Sequence, residues 1–107
     1  MGKPEAYVED YLRKRCKEIE GCVCYKWTSS VIGVPDDIVV IRGHVLMVEC
    51  KSKTGKCSPM QIKQQQKLVD CGADVRVVHT REAVDDMLDE FRNKKYRKQK
   101  VKNDYDK

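Results

Sequence analysis

Two acids and a lysine, Asp36, Glu49 and Lys51, have the types and spacing to act on a phosphate ester. Asp36 sits at the mouth of a β-branched, apolar run, residues 37–41. Glu49 and Lys51 close a second such run, residues 45–50 and the position after it. Arg42-Gly43-His44 between the runs reads as a hairpin turn, with Gly43 supplying the unusual backbone angles. If the loop is the two residues Arg42 and Gly43, Ile41 pairs with His44, and the same register sets Asp36 opposite Glu49. Opposed side chains have Cβ atoms roughly 4.5–5.5 Å apart. Glu49 and Lys51 are two apart on a strand and share a face. Two carboxylates so close repel, unless one keeps a proton or a cation lies between them. Magnesium takes one or two carboxylates plus water and substrate phosphate. A lysine beside it can steady the phosphate or orient a metal-activated water. A cross-strand salt bridge among the three residues is the reading that the spacing alone leaves open.

Several elements must position these groups. Val8, Tyr11, Leu12, Cys16 and Ile19 recur at helical spacing, so 4–19 is expected to be a helix with Pro4 in its first turn. Glu5 and Glu9 lie one turn apart on it, and Glu9 can also pair with Arg13. Residues 22–28 read as a first strand, ending in Lys26 and Trp27 and leading through Ser29-Ser30-Val31-Ile32-Gly33 into the Asp36 region. The hairpin strands are apolar on both faces: Ile38, Val40, Val45 and Met47 on one, Val39, Ile41, Leu46 and Val48 on the other. A sheet buried on both faces needs helices on both sides, which predicts an α/β fold. Lys53 and Lys56 lie in a basic loop directly after the site. Ser58, Pro59 and Gln61 have the spacing of an N-cap, N1 and N3 capping box. They open a helix to about residue 70, stopped by Gly72. Residues 75–78 are a fourth strand, and Thr80 caps a last helix to about residue 91. The expected order is α-β-β-β-α-β-α around a mixed central sheet.

At 107 residues the chain is one domain, residues 1–91, with a basic tail over 92–107. That tail carries eight Lys/Arg and two acids, net +6 against a total of +5, which leaves the first 91 residues near −1. Such a tail suits a phosphate backbone, or is a solubilising, disordered end. The start, MGKPEAYVEDYL, is charged and lacks the apolar core of a secretory signal. No apolar run is long enough to span a membrane. Six cysteines without a signal fit free thiols in a reducing compartment. Cys22-x-Cys24 is their one close pair, and Cys57 and Cys71 are the partners that would make it a zinc set. Small buried hydrophobes are the favoured reading over structural zinc, because the usual ligand spacings are missing.

Taken in order, these segments resemble the PD-(D/E)xK nucleases, through Pro35-Asp36 and Glu49-Cys50-Lys51. More closely they resemble the virus-type replication-repair nuclease (VRR-NUC) domain. The residues that carry this are Glu5 and Glu9 on the first helix, Lys26, Gly33-Val34-Pro35-Asp36, Glu49-Cys50-Lys51, Ser58-Pro59-Met60-Gln61 and Gly72-Ala73-Asp74-Val75. The resemblance implies a restriction-endonuclease-like core and a metal-dependent DNA endonuclease. Asp36, Glu49 and the Cys50 backbone carbonyl would bind Mg2+, with Mn2+ the alternative ion. Lys51 would act on the water or phosphate, and Gln61 would assist. Glu9, with Glu5 as its competitor, would complete the metal surroundings. Lys26, Lys53 and Lys56 are expected to contact DNA. Stand-alone members of this size resemble phage resolvases of branched DNA, which implies a homodimer acting on Holliday junctions in the cytoplasm of a bacterial or phage-infected cell. Two rivals remain: a binding module of the same fold without catalysis, and a small cysteine/zinc interaction protein.

Overall fold

The computed structural model describes residues 4–104. The elements follow the expected order: α1 (Pro4–Glu18), β1 (Cys22–Lys26), β2 (Asp37–Ile41), β3 (His44–Cys50), α2 (Pro59–Asp70), β4 (Asp74–Val78) and α3 (Arg81–Asp89). The four strands form one sheet in the order β1-β2-β3-β4. The first three are antiparallel, and β4 runs parallel to β3 after the α2 crossover.

The β2–β3 turn is the two-residue loop, since Ile41 pairs with His44. Both turn residues have positive φ, 45° at Arg42 and 89° at Gly43. This is the sense of twist that a tight hairpin demands. Glycine bears it freely, whereas arginine does not. Arg42 is held there by its own side chain. Its Nε donates to the Lys94 carbonyl at 2.6 Å and its Nη1 to the Glu20 carbonyl at 3.0 Å. Its guanidinium also stacks over the Tyr96 ring at 4.7 Å.

The core lies on one face of the sheet. Val39, Ile41, Leu46 and Val48 are fully buried there against Val8, Leu12 and Cys16 of α1 and Val84, Met87 and Leu88 of α3. The two helices are tied by Tyr11, whose hydroxyl donates to Asp85 at 2.8 Å, and by Arg15, which pairs with the same carboxylate at 3.1 Å. The other face departs from expectation. It is covered only along β4, where Ile62 and Val69 of α2 meet Val75 and Val77. No residue of α2 is buried. Tyr25 and Val45 stay well exposed, and Ile38, Val40 and Met47 half-exposed. The apolar alternation correctly marks the strands, but a crossover that lies over the edge strand cannot also cap β1 and β2.

Two boundaries are shorter than expected. The first strand stops at Lys26 rather than residue 28, because its partner begins at Asp37. One more bond, from the Trp27 N–H to the Asp36 carbonyl at 2.9 Å, closes the ladder. The last helix stops at Asp89, and Phe91 remains in the core from the turn that follows.

Candidate active site

Pro35 and Asp36 enter β2 through a loop that the sequence makes tight. Gly33 has φ 95°. A Cβ there would lie 2.6 Å from the Met60 carbonyl oxygen, inside the first turn of α2. Only glycine lets the two backbones meet so closely. This contact, rather than any buried side chain, seats the start of α2 beside the Asp36 loop.

Register then gathers the acids. Asp37 pairs with Val48, so the next step along the hairpin sets Asp36 against Glu49 at the rim of the sheet. Asp36 is exposed and Glu49 is 2% exposed. Burial pushes the Glu49 carboxyl up to about 7, the Asp36 charge adds to the rise, and Lys51 opposes it. Glu49 Oε1 is buried without a hydrogen-bond partner. A buried oxygen left without a donor is costly, and a proton or a cation relieves that cost. Lys51 is two residues on, its side chain mostly covered, and its ammonium lies 3.8 Å from Glu5 Oε1. The Lys51 N–H donates to the Val78 carbonyl at 2.9 Å, which fixes this stretch to the end of β4.

The two α1 acids go to different places. Glu5 meets Lys51. Glu9 lies 3.4 Å from Lys26 Nζ and 3.5 Å from Arg13 Nη2. Glu9 also meets an acid outside the expected site set. Asp37 is fully buried on the α1 side of β2, with Arg13 Nη2 at 3.4 Å. Desolvation, and then the hydrogen bond with Glu9, push the Asp37 carboxyl up to about 8. The same hydrogen bond holds Glu9 below the usual carboxylate range, and Arg13 and Lys26 add to this. The two carboxyls are thus pushed apart, with Asp37 the one that favours a proton. Strand alternation is the signal that marks this acid in the sequence: it turns Asp36 outward and Asp37 into the core, at a position the pattern reserves for an apolar residue.

Gln61 occupies the capping box. Its Oε1 accepts from the Ser58 N–H at 2.8 Å, and its own N–H donates to Ser58 Oγ at 3.1 Å. The side chain expected to assist Lys51 is thus engaged at the start of α2. Lys53 lines a cavity of about 250 Å³ with Tyr7, His79 and Arg81. Lys56 is exposed on the same loop, and Lys26, also exposed, lies 3.4 Å from Glu9.

The residues present fit a hard cation. The donor set is two oxygens of opposed carboxylates, one of them an orphan, with a backbone carbonyl next to Glu49. Among the described residues, no three His, Cys, Asp or Glu side chains converge as metal ligands. Any bound ion would thus draw its other ligands from backbone, water and substrate, as magnesium does.

No family model matches the sequence. The chain is 31% identical over 80 residues to "Putative nuclease p44" of Acyrthosiphon pisum secondary endosymbiont phage 1, spanning 73% of this chain and 85% of that one. A solved structure described as "VRR_NUC domain" superposes with a TM-score of 0.74 at 27% identity, covering 82% of this chain and 97% of that chain.

Proposed function

Because this chain belongs to the VRR-NUC family of nuclease domains, we propose that it is a Mg2+-dependent endonuclease that hydrolyses phosphodiester bonds in branched DNA. The observation that carries the reading is the buried, unpaired Glu49 Oε1, facing Asp36 and flanked by Lys51. The cross-strand salt bridge does not form, since the Lys51 ammonium pairs with Glu5 and leaves that oxygen without a partner. Asp36, Glu49 and the Cys50 carbonyl are the groups that would hold the ion, with Mn2+ as a substitute. When bound, the ion offsets charge on the phosphate and makes its water a better nucleophile near neutral pH.

The chain's own residues do the rest. Lys51, whose partner Glu5 is half-exposed and 3.8 Å away, is free to turn its ammonium to the scissile phosphate. Glu49 must lose its proton before it can serve. Water attacks phosphorus and gives up a proton to solvent, the bond to the leaving oxygen breaks, and the leaving oxygen takes a proton from solvent. Gln61 can contribute through its amide nitrogen while its carbonyl stays in the cap. Lys53 and Lys56 contact the flanking backbone. A two-fold dimer would present two such sites to the strands of a junction. The open sheet face with Tyr25 and Val45 favours self-association, since exposed apolar patches mark contact surfaces. Sedimentation of the purified chain tests this, and a monomer at every concentration rejects it. A cytoplasmic setting in a bacterial or phage-infected cell fits this reading, and the similarity to a phage protein supports it.

The deciding experiment is cleavage of a labelled four-way junction, a flap and plain duplex, with Mg2+ or EDTA, by wild type and Lys51→Ala. Mg2+-dependent cutting that falls at least ~100-fold in Lys51→Ala is expected, with the junction the best substrate. No cutting under Mg2+ or Mn2+ while the protein still shifts DNA would make it a binding module of the same fold.

A further inference from the structure

Away from the active site, three thiols meet where α1 crosses β1. Cys22 and Cys24 are two apart on β1 and so share a face. That face is the one packed on α1, and both residues lie against the core. Cys16 is buried on α1, in the core against which Cys22 and Cys24 pack. All three line one cavity of about 220 Å³, together with the cationic side chains of Arg13 and Lys17. Cys22 and Cys24 are part-exposed, whereas Cys16 is buried. Spacing in the sequence groups Cys22 and Cys24 with Cys57 and Cys71; the fold replaces those two with Cys16. Among the described residues, no three His, Cys, Asp or Glu side chains converge as metal ligands, and sulfurs that share a cavity can form disulfides.

We propose that Cys16, Cys22 and Cys24 form an oxidation site, at which hydrogen peroxide closes a disulfide from Cys16 on α1 to the β1 thiol pair, with Cys24 attacking first. Cys24 is the attacker because it is part-exposed and shares the cavity with the Arg13 guanidinium, whose charge favours its thiolate. Its sulfur attacks one peroxide oxygen. The O–O bond breaks, hydroxide leaves and takes a proton to become water, and Cys24 becomes a sulfenic acid. The Cys16 sulfur then attacks the Cys24 sulfur. The S–O bond breaks, and hydroxide leaves with the Cys16 proton as a second water. Two thiols are oxidised by two electrons, and one peroxide is reduced to two waters. Cys22, which lines the same cavity, can take the bond by exchange. The cross-link would fasten the helix that carries Glu5, Glu9 and Arg13 to the first strand of the sheet.

The test uses the full chain, reduced, purified and treated with hydrogen peroxide. Free thiols are alkylated and the digest is mapped by mass spectrometry. A peptide pair joining Cys16 to Cys24 or Cys22, reversed by dithiothreitol, is expected, with a higher Tm for the oxidised form. Cys24→Ser should slow cross-link formation at least about tenfold. Four outcomes overturn the proposal: all three thiols still alkylated, a Cys22–Cys24 bridge, bonds confined to Cys57 or Cys71, or a Cys24→Ser rate equal to wild type. Mapping wild type keeps the test valid even if a variant folds poorly.

Discussion

At the scale of single residues, the two raised carboxyls both favour folding at low pH, but only Glu49 must give up its proton for activity. The Glu49 carboxyl, raised from its ordinary 4.5 to about 7, favours the folded, metal-free chain below 4.5 and loses that advantage as pH rises through 7. An ion held by Glu49 competes with its proton. Cleavage at limiting Mg2+ is therefore expected to rise with pH through about 7, and the midpoint should move to lower pH as Mg2+ increases. A midpoint indifferent to Mg2+ would separate Glu49 from the metal. Asp37 is different, because its proton serves Glu9. Its carboxyl rises from 3.8 to about 8, so the stability it lends is lost as pH climbs through 8. Asparagine cannot ionise and still offers Glu9 a donor. Asp37→Asn should thus match wild type in Tm at pH 5 and exceed it at pH 9. A lower Tm for the variant at pH 9 would mean that Asp37 is ionised and paired with Arg13.

Among the elements, α2 is held least by burial. With no buried residue, its stability rests on its cap, its contact with Gly33 and a thin seam on β4. Ser58→Ala removes one of the two cap bonds and should cost about 1 kcal/mol, read as a drop in denaturation midpoint. Gly33→Ala faces both a positive φ and the Met60 carbonyl. The backbone term alone is roughly 1–2 kcal/mol, and the loop or α2 must also move. Activity should fall more than the stability loss explains, because Asp36 is three residues from the contact. Equal activity per folded molecule would show that the Asp36 loop does not depend on α2.

For the whole molecule, the segment after α3 divides into a strap and a basic end. Tyr96 packs on Gly21, where a Cβ would come within 2.6 Å of its hydroxyl, and receives the Arg42 guanidinium. Residues 94–96 thereby close the end of the sheet opposite the active site. Beyond them lie Arg97, Lys98, Lys100, Lys102 and Lys107. The two parts should separate cleanly in experiment. Tyr96→Ala is expected to lower Tm with little change in DNA affinity. Truncation after residue 96 should lower Tm less than Tyr96→Ala does, weaken DNA binding and flatten its dependence on salt. The log–log slope should shrink by about 0.9 for each phosphate that the shortened chain no longer neutralises. An unchanged salt slope would show that the basic end does not touch the backbone.

The sequence by itself determined the order of elements and, once the turn is taken as two residues, the hairpin register and the rim placement of Asp36, Glu49 and Lys51. These rest on local rules: a two-residue turn fixes strand pairing, strand alternation fixes facing, and Ser58-Pro59-Met60-Gln61 fixes a helix start. Only the tertiary structure decided what depends on distant segments meeting. It sent Glu5 to Lys51 and Glu9 to Asp37, because the line of α1 across the sheet sets which turn reaches which strand. It left one sheet face largely open, because α2 lies over β4 alone. It brought Cys16 to Cys22 and Cys24, and Tyr96 to Arg42, through packing of segments whose own patterns do not name their partners.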